Sequence, residues 1–252
     1  MSRARRIRAE AVAAWHSFLR RRTAVFFTFF FPVLLVVIFG ALVRTQPTGG
    51  GLFAEPAAYY VPGYLATVVL FTPLSRVGSE IARHRDDSRF EKLATTPLGR
   101  AEWLIAHTLV NIAIIGLASL LILGLVVALT GAVIPLTPRL ALLGPFVVAA
   151  VVLFCGFGAI LGRLSSTQDG VIAASNTIAF PLLFLSDTFV TPDLLPAWFA
   201  PLIDLSPLTY FARGVRAITH TTSEPALPAL GVVAVLAVVF FVAGAYAVPR
   251  TD

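Results

Sequence analysis

The stretch Trp103-Leu-Ile-Ala-His-Thr-Leu-Val-Asn-Ile-Ala-Ile-Ile-Gly-Leu-Ala-Ser-Leu-Leu-Ile-Leu-Gly-Leu-Val-Val-Ala-Leu129 runs for 27 residues without an Asp, Glu, Lys or Arg. A helix rises about 1.5 Å per residue and a bilayer's hydrocarbon core is about 30 Å thick, so about 20 such residues cross it. The block is therefore read as a membrane span. Five further apolar runs flank it, at 24–43, 57–77, 140–161, 170–185 and 226–248, of which 170–185 is the shortest. The whole chain has the matching composition. Of its 252 residues, 58% are hydrophobic and only 13% are charged, against about 25% charged in an average soluble domain. So few charges cannot cover a water-facing surface. High hydrophobicity excludes a disordered chain, and a single cysteine, Cys155, excludes a disulfide scaffold.

Arginines precede the first run, but its length exceeds the roughly 7–15 residues of a signal h-region, so it is read as a retained span. Orientation follows from the Lys and Arg residues of the connections. The N-terminal segment carries Arg3, Arg5, Arg6, Arg8, Arg20, Arg21 and Arg22, and the second-to-third connection carries Arg76, Arg83, Arg85, Arg89, Lys92 and Arg100. With Arg163 and Arg250 this side holds 15 of the 19, and the other holds Arg44, Arg139, Arg213 and Arg216. The bias predicts six spans, multi-pass, with both termini cytoplasmic. Asp187, Pro192, Asp193 and Pro196 argue against a seventh span after the fifth. Acids and helix breakers at bilayer depth leave unmet polar groups, so residues 186–220 are read as short amphipathic helices re-entering the outer leaflet.

Several chemistries are missing. The one lysine, Lys92, lies in Glu91-Lys92-Leu93, so the chain has no Gly-Lys-Ser/Thr loop to hold a nucleotide's phosphates. His16, His84, His107 and His220 are scattered without the spacing of a His-Glu-x-x-His metal site, and no Gly-x-Ser-x-Gly elbow occurs. The expectation is a chain that is not itself an enzyme and binds no cofactor or metal. Ion-coupled carriers need titratable groups inside the membrane, and the spans are nearly free of them. His107 and Asn111, four apart, share one face of the third span, where they either line a polar path or hold the bundle by an interhelical hydrogen bond.

Ahead of the first span, in residues 1–23, Ile7, Ala11, Ala14, Trp15 and Phe18 form a stripe at helical spacing, with Arg6, Glu10, Arg20 and Arg21 assigned to the opposite side. This predicts an amphipathic helix lying at the inner membrane interface, anchored by Trp15 and by arginines on anionic lipid. The connection 81–102 is densely charged, and Phe90, Leu93, Ala94 and Leu98 give it a short apolar ridge ended at Thr96-Pro97. A charge-rimmed apolar ridge is a candidate docking surface.

Two patches carry a family resemblance. Glu80-Ile-Ala-Arg-His-Arg-Asp-Asp-Ser-Arg-Phe-Glu-Lys-Leu-Ala-Thr-Thr-Pro-Leu-Gly-Arg-Ala-Glu-Trp103 resembles the second-to-third loop of type 2 ABC exporter permeases, with its Leu-x-x-Thr-Pro-Leu-x-Arg core. Between spans five and six, Leu195-Pro-Ala-Trp198 and Ser206-Pro-Leu-Thr-Tyr210, followed by Arg216, resemble that family's outer connection. The chain departs from the pattern at Asp187, Ser206 and Ser88-Arg89, where Gly, Asn and Gly-Thr are common.

The resemblance implies the membrane subunit of an ATP-driven exporter in a prokaryotic cell membrane. It would be paired with a second copy or a related permease and powered by a separate ABC ATP-binding subunit that holds ATP and Mg. In that frame Phe90, Glu91, Lys92, Leu93, Pro97, Leu98 and Arg100 form the ATPase-coupling element, with Phe90 and Leu93 filling the partner's cleft and Glu91 and Arg100 at its rim. Pro196, Trp198, Pro207, Leu208, Tyr210 and Arg216 form the outer re-entrant motif.

Candidate path-lining residues are Thr67, Thr72, His107, Asn111, Ser175 and Asn176. Their mild polarity amid Val, Leu and Phe suits an amphiphilic or hydrophobic cargo, and nucleic acid is not an expected partner. Gly158 and Gly162 offer a small-residue face for packing within one subunit or between two. Pro32, Pro62, Pro73, Pro145 and Pro181 are positioned to kink spans. The rival readings are an ATP-independent carrier or channel and a membrane scaffold that recruits a soluble partner.

Overall fold

In lipid every backbone N–H and C=O needs a partner within the protein, and one chain of apolar runs meets that demand by forming helices. The computed structural model describes residues 2–42, 55–189, 197–220 and 225–249, and all secondary structure among them is helical. Helix α1 (Arg3–Arg20) ends where Arg21 leaves helical geometry, and α2 (Arg22–Leu35) starts at once, continuing through Pro32 into a π-helical stretch, Val36–Leu42. A 3₁₀ turn, Ala57–Tyr60, leads into α3 (Val61–Asp86). The six-residue α4 (Arg89–Ala94) and the long α5 (Arg100–Thr130) follow, the latter stopped by Gly131 in the left-handed region at φ 66°. A second 3₁₀ turn, Pro138–Leu142, opens α6 (Leu143–Leu164), and α7 (Gln168–Phe184) is capped by Thr167, whose hydroxyl accepts the Gly170 N–H at 3.0 Å. A 3₁₀ turn (Ala197–Phe199), α8 (Ala200–Ile203), α9 (Pro207–Thr219) and α10 (Ala226–Ala247) complete the chain.

Five of these segments are long and apolar enough to cross a membrane: Arg22–Gly40, Ala57–Asp86, Arg100–Thr130, Pro138–Leu164 and Ala226–Ala247. At 17 residues, α7 is about 26 Å long and falls short of that length. Residues 81–86, assigned above to the cytoplasmic connection, continue α3, because Ile81 and Ala82 are fully buried and His84 nearly so, which carries the helix past the end of the apolar run.

The core forms around α3, which packs against α5, α6, α7 and α9, with α10 closing over α6. Small residues set how close these helices come. A Cβ on Gly158 would lie 2.4 Å from the Leu74 carbonyl oxygen, and one on Gly162 would lie 2.6 Å from that of Gly78. The face of α6 bearing Gly158 and Gly162 is thus spent on α3 inside the subunit. Without water to drive helices together in lipid, such backbone contact is where van der Waals packing is gained. Of the five prolines, Pro62 and Pro145 stand in first turns, where no i−4 hydrogen bond is lost, while Pro32, Pro73 and Pro181 lie inside α2, α3 and α7. The surfaces of α2 and α10 remain apolar and exposed, with Phe26 and Phe30 stacked 4.8 Å apart on α2.

Candidate functional site

The elbow between α3 and α5 is built from short-range chemistry. Ser88 adopts φ 50° and turns the chain out of α3 into α4. After Ala94 the helix cannot continue into Pro97, and the Thr95 and Thr96 hydroxyls donate back to the Lys92 and Leu93 carbonyls, each at 2.7 Å. Glu102 then caps α5 by accepting the Gly99 N–H at 3.0 Å. The coupling element expected over 90–98 is therefore a helix only to Ala94, followed by a turn.

Its residues divide into two sets. Phe90 is 3% exposed, with its ring 5.7 Å from Trp103 and 5.5 Å from His84. The Phe90 ring packs on α3 and α5, where it holds α4 in place, and it also borders the cleft beside α4. Glu91, Lys92 and Pro97 face outward, and Leu93 and Leu98 are half-buried. Beside them lies a shallow cleft lined by Leu93, Pro97, Leu98, Arg100 and Val248. Arg100 is half-buried and donates to the Tyr246 carbonyl at 3.2 Å, tying the elbow to the end of α10.

Helix α1 braces the same end of α5. Arg6, Glu10, Ala14 and Phe18, each four residues on, form one stripe. Arg6 Nε donates to Glu102 Oε2 at 2.9 Å, Glu10 Oε1 lies 3.2 Å from His107 Nε2, and Ala14 and Phe18 bury against Val110 and Ile114. The placement of Arg6 and Glu10 on the outer side is corrected accordingly, since both charges are matched across the interface. The hydrogen bond to Glu102 raises the pKa of Arg6 above its ordinary value. His107 also lies against Trp103, ring centres 3.9 Å apart, and Asn111 Nδ2 donates to the His107 carbonyl at 2.8 Å. Glu80 completes this belt, paired with Arg21 and Arg83, with His84 Nε2 lying 3.5 Å from its carboxylate.

Above the belt, a cavity of about 1060 Å³ opens between α1 and α2 on one side and α3 and α7 on the other. Thr67, Thr72, His107 and Asn176 line it, with Arg76 among the wall residues. Asn111 and Ser175 do not; both are buried, Ser175 on α7 with its hydroxyl unpartnered. Arg76 and the α1 charges escaped the sequence reading as site residues. The available signals were an arginine within reach of bilayer depth and the four-residue spacing of Arg6, Glu10, Ala14 and Phe18.

At the opposite end, Arg216 on α9 is 7% exposed and joins three segments. Its Nη2 donates to the Asp187 carbonyl at 2.5 Å, its Nη1 lies 3.5 Å from Asp187 Oδ2, and its guanidinium sits 4.0 Å over the Tyr59 ring. Arg213 bridges Asp187 at 3.1 Å and Asp204 at 2.9 Å. Burial pushes the Asp187 carboxyl above its usual range, and Arg216 and Arg213 pull it back. Pro207 begins α9, Leu208 is fully buried, Tyr210 is half-buried and Trp198 is 71% exposed. Pro196 lies outside the described residues, as do Pro192 and Asp193.

The described residues thus form an all-helical array with five bilayer-length helices, a cavity between α1, α2, α3 and α7 and a braced elbow at one end. The ABC-2 type transporter model matches residues 5–220, and the chain belongs to that family of ABC transporter permeases. It is similar to the daunorubicin resistance ABC transporter permease protein DrrB1 of Streptomyces coeruleorubidus, at 26% identity over 234 residues, covering 86% of this chain and 78% of that protein.

Proposed function

We propose that this chain is the membrane-spanning subunit of an ATP-driven exporter that moves an amphiphilic, drug-like or lipid-like substrate outward, with ATP and Mg held by a separate ATP-binding subunit. The observation that carries the reading is the elbow: a six-residue helix fixed from behind by Phe90, with Glu91, Lys92 and Pro97 presented outward. A short rigid element slung between two long helices passes a partner's movement to both. In this reading Leu93 and Leu98 enter the ATPase cleft, Glu91, Lys92, Pro97 and Arg100 form its rim, and Phe90 positions the element.

The charge bias of the connections supports placing this end and both termini in the cytoplasm of a prokaryotic cell, with the permease in the plasma membrane. Helix α7 then serves as a sixth span, shorter than the rest and followed by outer helices that re-enter the leaflet from Trp198 to Arg216. Exposed apolar faces on α2 and α7 suit pairing with a second permease. The cavity walls, Thr67, Thr72 and Asn176 among phenylalanines, form one half of the path. The name of the relative, a drug resistance permease, supports an amphiphilic cargo.

The test is a mild-detergent pull-down of the tagged chain from its native membrane, assayed for ATP hydrolysis and repeated with Leu93→Asp. Co-purification of an ATPase that the substitution releases is the expected result. Elution of the chain alone, without hydrolysis in several detergents, overturns the reading in favour of a carrier or scaffold.

A further inference from the structure

Arg76 is the unmatched charge of the cavity. It lines the wall, makes no ion pair among the described residues, and its Nη1 is buried without a hydrogen-bond partner. The guanidinium carbon lies 4.4 Å from the centre of the Phe18 ring, a cation–π contact that compensates only part of its lost hydration. Glu80, one helical turn on and also at the wall, is already engaged by Arg21, Arg83 and His84. Arg21, the other cation at the wall, is spent on Glu80.

Beyond Arg76 the walls are aromatic. Phe27 and Phe31 of α2 face Phe71 of α3 and Phe180 of α7, and all but Phe71 are exposed at the rim. The cavity therefore opens sideways between the exposed apolar faces of α2 and α7 and carries Arg76 on its wall. A volume of about 1060 Å³ lies just above the roughly 300–1000 Å³ of sites for drug-sized molecules. A largely apolar cavity with one unpaired arginine on its wall, beside the already paired Arg21 and Glu80, is complementary to a molecule with an acidic head and an apolar body.

We propose that this cavity binds an anionic amphiphile, its carboxylate or phosphate at Arg76 and its apolar part along Phe27, Phe31, Phe71 and Phe180. Calling that molecule the exported substrate rests on the exporter reading; its binding does not. The same chemistry comes from two sources, an acidic lipid of the bilayer or a dissolved amphiphilic acid.

The test uses the full-length protein in phosphatidylcholine nanodiscs, titrated with a dansyl-labelled long-chain carboxylate and with its methyl ester. The acid is expected to bind about tenfold more tightly than the ester, a preference lost in Arg76→Gln and partly kept in Arg76→Lys. Thr72→Trp, which fills the cavity and leaves Arg76 in place, weakens both ligands. Equal binding of acid and ester to the unaltered protein, or an unchanged preference in Arg76→Gln, overturns the proposal. If Arg76→Gln fails to fold, the acid-to-ester ratio and its sensitivity to Thr72→Trp decide in its place, and insensitivity overturns it. Displacement of the bound acid by phosphatidylglycerol in the nanodisc identifies a bilayer lipid as occupant, and retention identifies a solute. Acid binding in a chain that recruits no ATPase leaves the site standing and the exporter reading failed; ATP-driven efflux without acid preference does the reverse.

Discussion

Arg6 and Glu102 stand 96 positions apart and close a two-pronged ion pair, Nε to Oε2 at 2.9 Å and Nη2 to Oε1. The same Glu102 oxygen that receives Arg6 Nε also accepts the Gly99 N–H at the start of α5. One carboxylate therefore fixes the brace helix, the end of the elbow and the first turn of a long helix. The elbow is tied to α1 and α5 at this one side chain.

Reversing either charge is expected to release α1. Arg6→Glu and Glu102→Arg should each expose the arginines of α1 to trypsin and lower transport, while the double reversal restores protection. Limited proteolysis of the three variants in nanodiscs checks this, and a double variant no better than the singles counts against the brace.

Phe90 and Leu93 should separate cleanly. Phe90→Ala empties a buried ring site between His84 and Trp103 and should cost about 3 kcal/mol, read as a lower thermal midpoint of the purified permease. Leu93→Asp changes a half-buried residue and should leave the midpoint nearly unchanged while, in the exporter reading, weakening recruitment of the ATPase. Equal midpoint losses in both would contradict the division of α4 into a held side and a presented side.

The α3–α6 contact gives a matched pair of glycine changes. Gly158→Val drives a side chain into the Leu74 carbonyl and should abolish recovery of monodisperse protein. Gly124→Ala on α5, where a Cβ meets nothing within 4 Å, should be neutral or stabilise by up to about 1 kcal/mol. Size-exclusion profiles of the two variants are sufficient to test it.

Arg216→Met leaves the buried Asp187 with Arg213 as its remaining guanidinium and should cost about 3–5 kcal/mol. Adding Asp187→Leu removes the stranded carboxyl and should recover most of the loss. Thermal unfolding of the single and double variants measures the recovery, and no recovery would show that Arg216 acts through the Asp187 backbone carbonyl and Tyr59 rather than through the carboxylate.

The helical membrane fold was legible in the chain because it depends on local quantities. A run such as 103–129 is apolar over its whole length, and its backbone can satisfy itself only as a helix. The Thr96-Pro97 stop and the α1 helix follow from equally short-range rules. Partners across the fold were not legible. Charge and apolarity alone put Phe90 on a presented ridge and Arg6 and Glu10 on an outer face, although four-residue spacing aligns the latter two with Ala14 and Phe18. The structure turns all three inward, because Trp103, Glu102 and His107 of α5 lie opposite them. The same holds for α3, whose helix outruns its apolar block because neighbours bury Ile81 and Ala82, and for Asp187, a helix breaker in sequence and the counter-charge of Arg216 in space. Sequence by itself determined which segments are helical and apolar, since hydrophobic length and backbone self-satisfaction are properties of a single segment. Only the tertiary structure decided which charges are matched and that Arg76 is not, because pairing energy depends on what another segment brings within a few ångströms.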